Sequence, residues 1–137
     1  TPNGTVMIKD INGNAGSHPS RLTPVGNTLF FQAADATHGV ELWKSDGTRA
    51  GTTLVKDIVS GARSSSPDLL TEAGGTLYCV ARHPTRGREL WKSDGTAAGT
   101  VLVRDINPGA DDGVHRYDGM TSVAAGWFLE SAPLAGR

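Results

Sequence analysis

The chain reads as an all-β protein, and three observations lead there. Eighteen glycines and seven prolines punctuate 137 residues, well above the roughly 12% that the two together average. The runs between them are short and rich in Val, Leu, Ile, Thr, Phe, Tyr and Trp, residues that suit a pleated, half-buried surface. No interval leaves room for ten or more residues at the 3.6 period of a helix. The third observation is internal duplication. Residues 41–58, ELWKSDGTRAGTTLVKDI, and 89–106, ELWKSDGTAAGTVLVRDI, agree at 15 of 18 positions, 48 residues apart. A period of that length marks a supersecondary unit used more than once.

Taken in chain order, Gly4–Ile11 copies the close of that unit, matching Gly51–Ile58 and Gly99–Ile106, and is expected to form a fourth-position strand. Leu22-Thr23 and Thr28–Phe31 align with Leu70-Thr71 and Thr76–Cys79. The second unit shows all four strands: Leu69–Ala73 and Gly75–Ala81 parted by a glycine, then Arg88–Ser93 and Thr100–Ile106 around the Asp94-Gly95-Thr96 turn. Met120-Thr121 with Trp127-Phe128-Leu129 begins another copy after a two-residue insertion within 107–117. The boundaries are a partial unit at 1–21, blades at 22–58 and 70–106, and a partial blade at 118–131, within a single repeat domain of 1–137.

Leu42 and Trp43, Leu54 and Val55, and Leu102 and Val103 are adjacent apolar pairs. Neighbours along a strand point to opposite faces, so these strands need cover on both sides. Four such strands per 48 residues match the size and pattern of a β-propeller blade. The expected fold is therefore β-propeller-type blades. Two blades and parts of a third fall short of the about four to eight that close a ring, so closure is expected by homo-oligomerisation or within a longer parent chain.

Charge and cysteine content exclude several functions. Thirteen Lys and Arg balance fourteen Asp and Glu, a net charge of -1, without the basic excess of a nucleic-acid binder. No run of 18 apolar residues calls for membrane insertion. Cys79 is the sole cysteine, which excludes an internal disulfide or a thiolate-rich zinc site, and its apolar surroundings read as a buried thiol. His18, His38, His83 and His115 lack metal-ligand spacing, so neither metal nor cofactor is expected. No serine stands in a nucleophile elbow, and no glycine loop introduces a phosphate-binding helix. The chain is not expected to be an enzyme.

Trp43 and Trp91 share one position in their units and read as core residues rather than sugar platforms, with an indole N–H that needs a partner when buried. Asp46 and Asp94 open the Ser-Asp-Gly-Thr turns, where a carboxylate caps nearby amides and glycine supplies a positive φ. Ligand-binding residues are sought in the loops that differ between units. Residues 34–39 carry Asp35 and His38, whereas 82–87 carry Arg82, His83 and Arg86. These five are the loop candidates for a binding site.

Glu41–Thr48 and Glu89–Thr96, extended by Ala50-Gly51-Thr52 and Ala98-Gly99-Thr100, resemble the bacterial ELWxxDGT repeat family. That resemblance implies propeller-like repeats, a secreted or cell-surface bacterial location and no established catalytic residue. The expected function is an extracellular binding or interaction module, with carbohydrate as the first ligand class to test and a lectin as its form. The alternative is a structural or protein-binding scaffold, with a hydrolase third. The expected partners are a glycan or a surface protein.

Overall fold

Turn glycines and apolar runs alternate to set eight strands in the computed structural model, which describes residues 1–106. They are β1 (Ser20–Val25), β2 (Thr28–Asp35), β3 (Gly39–Ser45), β4 (Thr53–Lys56), β5 (Asp68–Ala73), β6 (Thr76–His83), β7 (Gly87–Ser93) and β8 (Val101–Arg104). Strands β1–β4 form one antiparallel meander and β5–β8 a second. The registers agree at the 48-residue offset: Phe31 opposes Trp43 as Cys79 opposes Trp91. Each first strand is bulged, between Ser20 and Thr23 and between Asp68 and Thr71. At those bulges Arg21 (φ 60°) and Leu69 (φ 54°) take the left-handed conformation, which side chains adopt only under local constraint.

Both faces of each meander carry buried side chains. Phe30, Leu42 and Val55 of the first sheet pack against Leu70 and Leu77 of the second. On the first sheet's opposite face, Phe31, Ala33 and Trp43 lie under Ile11. Ile58 and Val59, from the connection, pack with Cys79, Ala81 and Trp91. Trp43 and Trp91 each retain 5% of their surface, which places both in the core. Their Nε1 groups have no hydrogen-bond partner among the described residues, contrary to the expected pairing. Burial pushes the Cys79 thiol up to about 12.

The propeller expectation is corrected by this architecture. Two separate four-stranded antiparallel sheets are present, neither closed nor curled into propeller blades. The strand count per unit was legible, but four strands per unit also describes two stacked meanders. Gly4–Ile11 forms no strand: a 3-10 turn at Pro2–Gly4 leads into irregular chain. A strand needs a neighbour for its backbone bonds, and among the described residues this segment joins neither sheet. Val103 also departs from the expected burial, with 37% of its surface exposed. The partial blade at 118–131, with Trp127, lies outside the described residues, as does His115.

Glu41 ties the first sheet to the connection that follows it. Its fully buried carboxylate accepts bonds from the amides of Ile58 (3.2 Å), Val59 (3.2 Å) and Ser65 (3.1 Å) and from the Ser65 hydroxyl. In the second sheet Glu89 accepts from the Ile106 amide at 3.1 Å. Burial pushes the Glu41 carboxyl up to about 6 from an ordinary 4.5, against the pull of its four donors.

Replacing Glu41 with Ala strands these buried donors and is expected to cost about 3–5 kcal/mol, measured by urea denaturation. A carboxyl whose folded pKa is raised binds its proton more tightly in the native chain. Its contribution is full below about pH 4.5 and is lost as pH rises through about 6. Glu41→Gln is expected to flatten that part of the stability profile.

Candidate functional site

The loop candidates form two local clusters, one on each sheet's second hairpin. Asp35 ends β2, and its Oδ1 accepts the amides of Thr37 (2.9 Å) and His38 (2.6 Å). Its Oδ2 lies 2.7 Å from His38 Nδ1. Burial pushes the Asp35 carboxyl up, but the bonds from His38 and the two amides outweigh it and hold the group below its ordinary value. The bond to Asp35 raises His38 in turn.

At the equivalent place on the second sheet stands His83 rather than an acid. Its Nδ1 accepts the Thr85 amide at 3.3 Å, and its ring stacks on Trp91 with centroids 6.1 Å apart. Burial, followed by the charge of Arg86, lowers its pKa. Arg86 reaches Asp105 at 3.1 Å, and Arg82 is exposed, with its amide donating to the Ser65 carbonyl at 2.8 Å. The two hairpins thus have one shape and opposite charge preferences. Among the described residues, no group of three His, Cys, Asp or Glu side chains could hold a metal ion.

Asp46 and Asp94 are engaged by their own turns. Asp46 Oδ1 accepts the Thr48 amide (2.9 Å) and hydroxyl (2.6 Å), while the Thr48 hydroxyl accepts the Gly51 amide at 2.9 Å. Asp94, Thr96 and Gly99 repeat the pattern at 2.9, 2.7 and 2.9 Å. A Cβ on Gly51 would stand 1.9 Å from Asp46 Oδ1, so the close approach of the carboxylate requires glycine there. The hydroxyl bonds of Thr48 and Thr96 hold both acids below their ordinary values.

A concave surface lies elsewhere, on the face of the first sheet turned away from the second. A cavity of about 250 Å³ is lined chiefly by Ile8, Ile11, Leu22, Leu29, Phe31 and Thr52. Lys9 crosses one side, its Nζ donating to the Thr52 carbonyl at 2.8 Å. Leu22 is 58% exposed, and Val6, beside it in the lining, 74%. None of the five loop candidates lines this cavity. The sequence carried one signal for it: Leu22 matches Leu70, so a residue packed between sheets in one unit had an uncovered counterpart in the other.

No family model, curated protein or solved structure matches this chain. The resemblance to the ELWxxDGT repeat family is thereby corrected, and the repeat-family, propeller, secreted and lectin readings lose their basis with it. The physical reason is visible in the turns. The shared octapeptide is a hydrogen-bonded turn joined to a strand, a local solution that does not specify how sheets assemble.

Proton NMR titration is expected to place His38 above its ordinary 6.5 and His83 below it. Asp35→Asn is expected to bring His38 down while leaving His83 unmoved.

Proposed function

We propose that this chain is a protein-interaction module whose binding surface is the apolar groove on the first sheet. The observation that carries the reading is the groove itself: Leu22, Leu29, Phe31, Ile8 and Ile11 converge there, with few polar groups among them. A sugar site needs polar groups aimed at hydroxyls and an accessible aromatic face. Trp43 and Trp91, the aromatic residues first weighed for that role, are buried. An exposed apolar concavity favours an apolar side chain or backbone segment from another polypeptide.

The test is a displayed-peptide selection run beside a glycan array. Peptides with apolar anchors are expected to bind, and Leu22→Asp is expected to weaken them at least about tenfold while circular dichroism stays unchanged. Glycan binding that Leu22→Asp leaves intact, with no peptide selected, would overturn the reading.

A further inference from the structure

We infer that the groove's partner is a second copy of this chain, docked head to tail through the outer face of its second sheet. The inference rests on the interaction reading above and names the partner for the same surface. It starts from an interface already made within the chain. Lys44 Nζ donates to the Gly95 carbonyl at 2.7 Å and Lys56 Nζ to the Thr100 carbonyl at 3.0 Å, crossing from the first sheet to the second. Between those bonds Phe30, Leu42 and Val55 pack on Leu70 and Leu77. The turn is seated closely: a Cβ on Gly95 would lie 3.4 Å from the Phe30 ring.

Both halves of that interface are duplicated. The receiving residues Leu70, Leu77, Gly95 and Thr100 correspond, 48 positions earlier, to Leu22, Leu29, Gly47 and Thr52. Three of these four, Leu22, Leu29 and Thr52, line the groove. A Cβ on Gly47 would meet nothing within 4 Å, so the room that Phe30 fills beside Gly95 is open here. The donating residues Phe30, Leu42, Lys44 and Val55 correspond to Tyr78, Leu90, Lys92 and Val103. Lys92 and Val103 are exposed. Docking one copy on another therefore sets Lys92 toward the Gly47 carbonyl and Val103 toward Leu22, reproducing contacts the chain already makes.

The amino-terminal segment gives independent support, because it occupies part of the same site. Lys9 bonds the Thr52 carbonyl as Lys56 bonds Thr100, and Ile11 packs beside Trp43 as Ile58 packs beside Trp91. Gly4–Ile11 thus stands in for a single strand of an incoming sheet. Val6 and Met7 remain 74% and 78% exposed, so the segment is lightly held, and docking has a partner's β8 take its place, Val103 for Ile8 and Arg104 for Lys9.

Sedimentation velocity of the 137-residue chain, from low micromolar to several hundred micromolar, tests the inference. Concentration-dependent dimers and larger species are expected. Leu22→Asp and Val103→Asp, both at exposed positions, are each expected to weaken association at least about tenfold with circular dichroism unchanged. Mixed one to one, the two variants are expected to form a dimer and stop there, because each retains the surface that the other lost. A wild-type monomer at every concentration would overturn the inference, including the case in which residues 107–137 cover the second sheet themselves. Association that survives both variants, or a mixture that stays monomeric, would overturn it as well. Peptide binding lost in Leu22→Asp on a wild-type monomer would leave the interaction reading standing and remove only the second copy. Loss of both would remove the two together.

Discussion

The amides of Ile58, Val59 and Ser65 belong to a connection outside both strand ladders, and all three converge on one buried side chain, Glu41. Backbone donors taken out of water must find acceptors, and a carboxylate offers enough lone pairs to serve several at once. The consequence reaches beyond hydrogen bonding. With residues 58–65 held against β3, Ile58 and Val59 are placed over Cys79, Ala81 and Trp91, and β5 starts beside β1. There Arg21 meets Asp68 at 2.7 Å and the Thr23 hydroxyl reaches the Leu70 carbonyl at 3.4 Å. The placement of the connection between the sheets therefore depends on an acid whose backbone pairs with Ala33 in the ladder while its carboxylate serves residues outside it.

Hydrophobic contact does the rest, and lysine makes that possible at the sheet boundary. Lys44 and Lys56 lie on strands whose neighbours are apolar, yet their stems run to the edge and end on carbonyls of the other sheet. A long side chain can cover apolar surface with its methylenes while its charge finds oxygen or water. This lets Phe30, Leu42 and Val55 close around Leu77, whose surface is fully buried, without enclosing an unpaired cation. The Ser45–Thr52 and Ser93–Thr100 hydroxyl pairs, each 2.7 Å apart, serve the turn end of the strands similarly.

The strands were legible because turn chemistry and β-forming residues mark them locally, and the adjacent apolar pairs announced buried side chains on both faces of the central strands, although Val103 is 37% exposed. Closure was not legible, since it depends on how one sheet sits on another rather than on any residue run. Gly4–Ile11 shows the limit sharply: it repeats a strand sequence, but strand formation needs a neighbour to share its hydrogen bonds, and no described strand pairs with it. Glu41 could have been found. Period-two alternation puts it on the same face as Trp43 and Ser45, so an acid there points inward and demands partners. The groove was hidden because the loops drew attention through their variability, whereas the cavity draws on residues such as Leu22, Leu29 and Thr52, which match Leu70, Leu77 and Thr100 and differ in what covers them.

The two second hairpins show how one backbone accommodates different side-chain chemistry. Asp35 and His83 stand at equivalent positions, and each satisfies an amide two residues ahead: Asp35 with a carboxylate oxygen and His83 with Nδ1. The backbone needs an acceptor there and is met by either chemistry, so Asp35↔Gly39 and His83↔Gly87 keep one register. What changes is the proton. His38 Nδ1 meets an acid and favours the charged ring, whereas His83 Nδ1 accepts a bond and favours the neutral one. Opposite shifts of the two histidines thus arise on hairpins that keep one register. The groove obeys the reverse logic: Leu22, Leu29 and Thr52 keep the residue types of Leu70, Leu77 and Thr100, and Leu22, unlike the packed Leu70, stays 58% exposed.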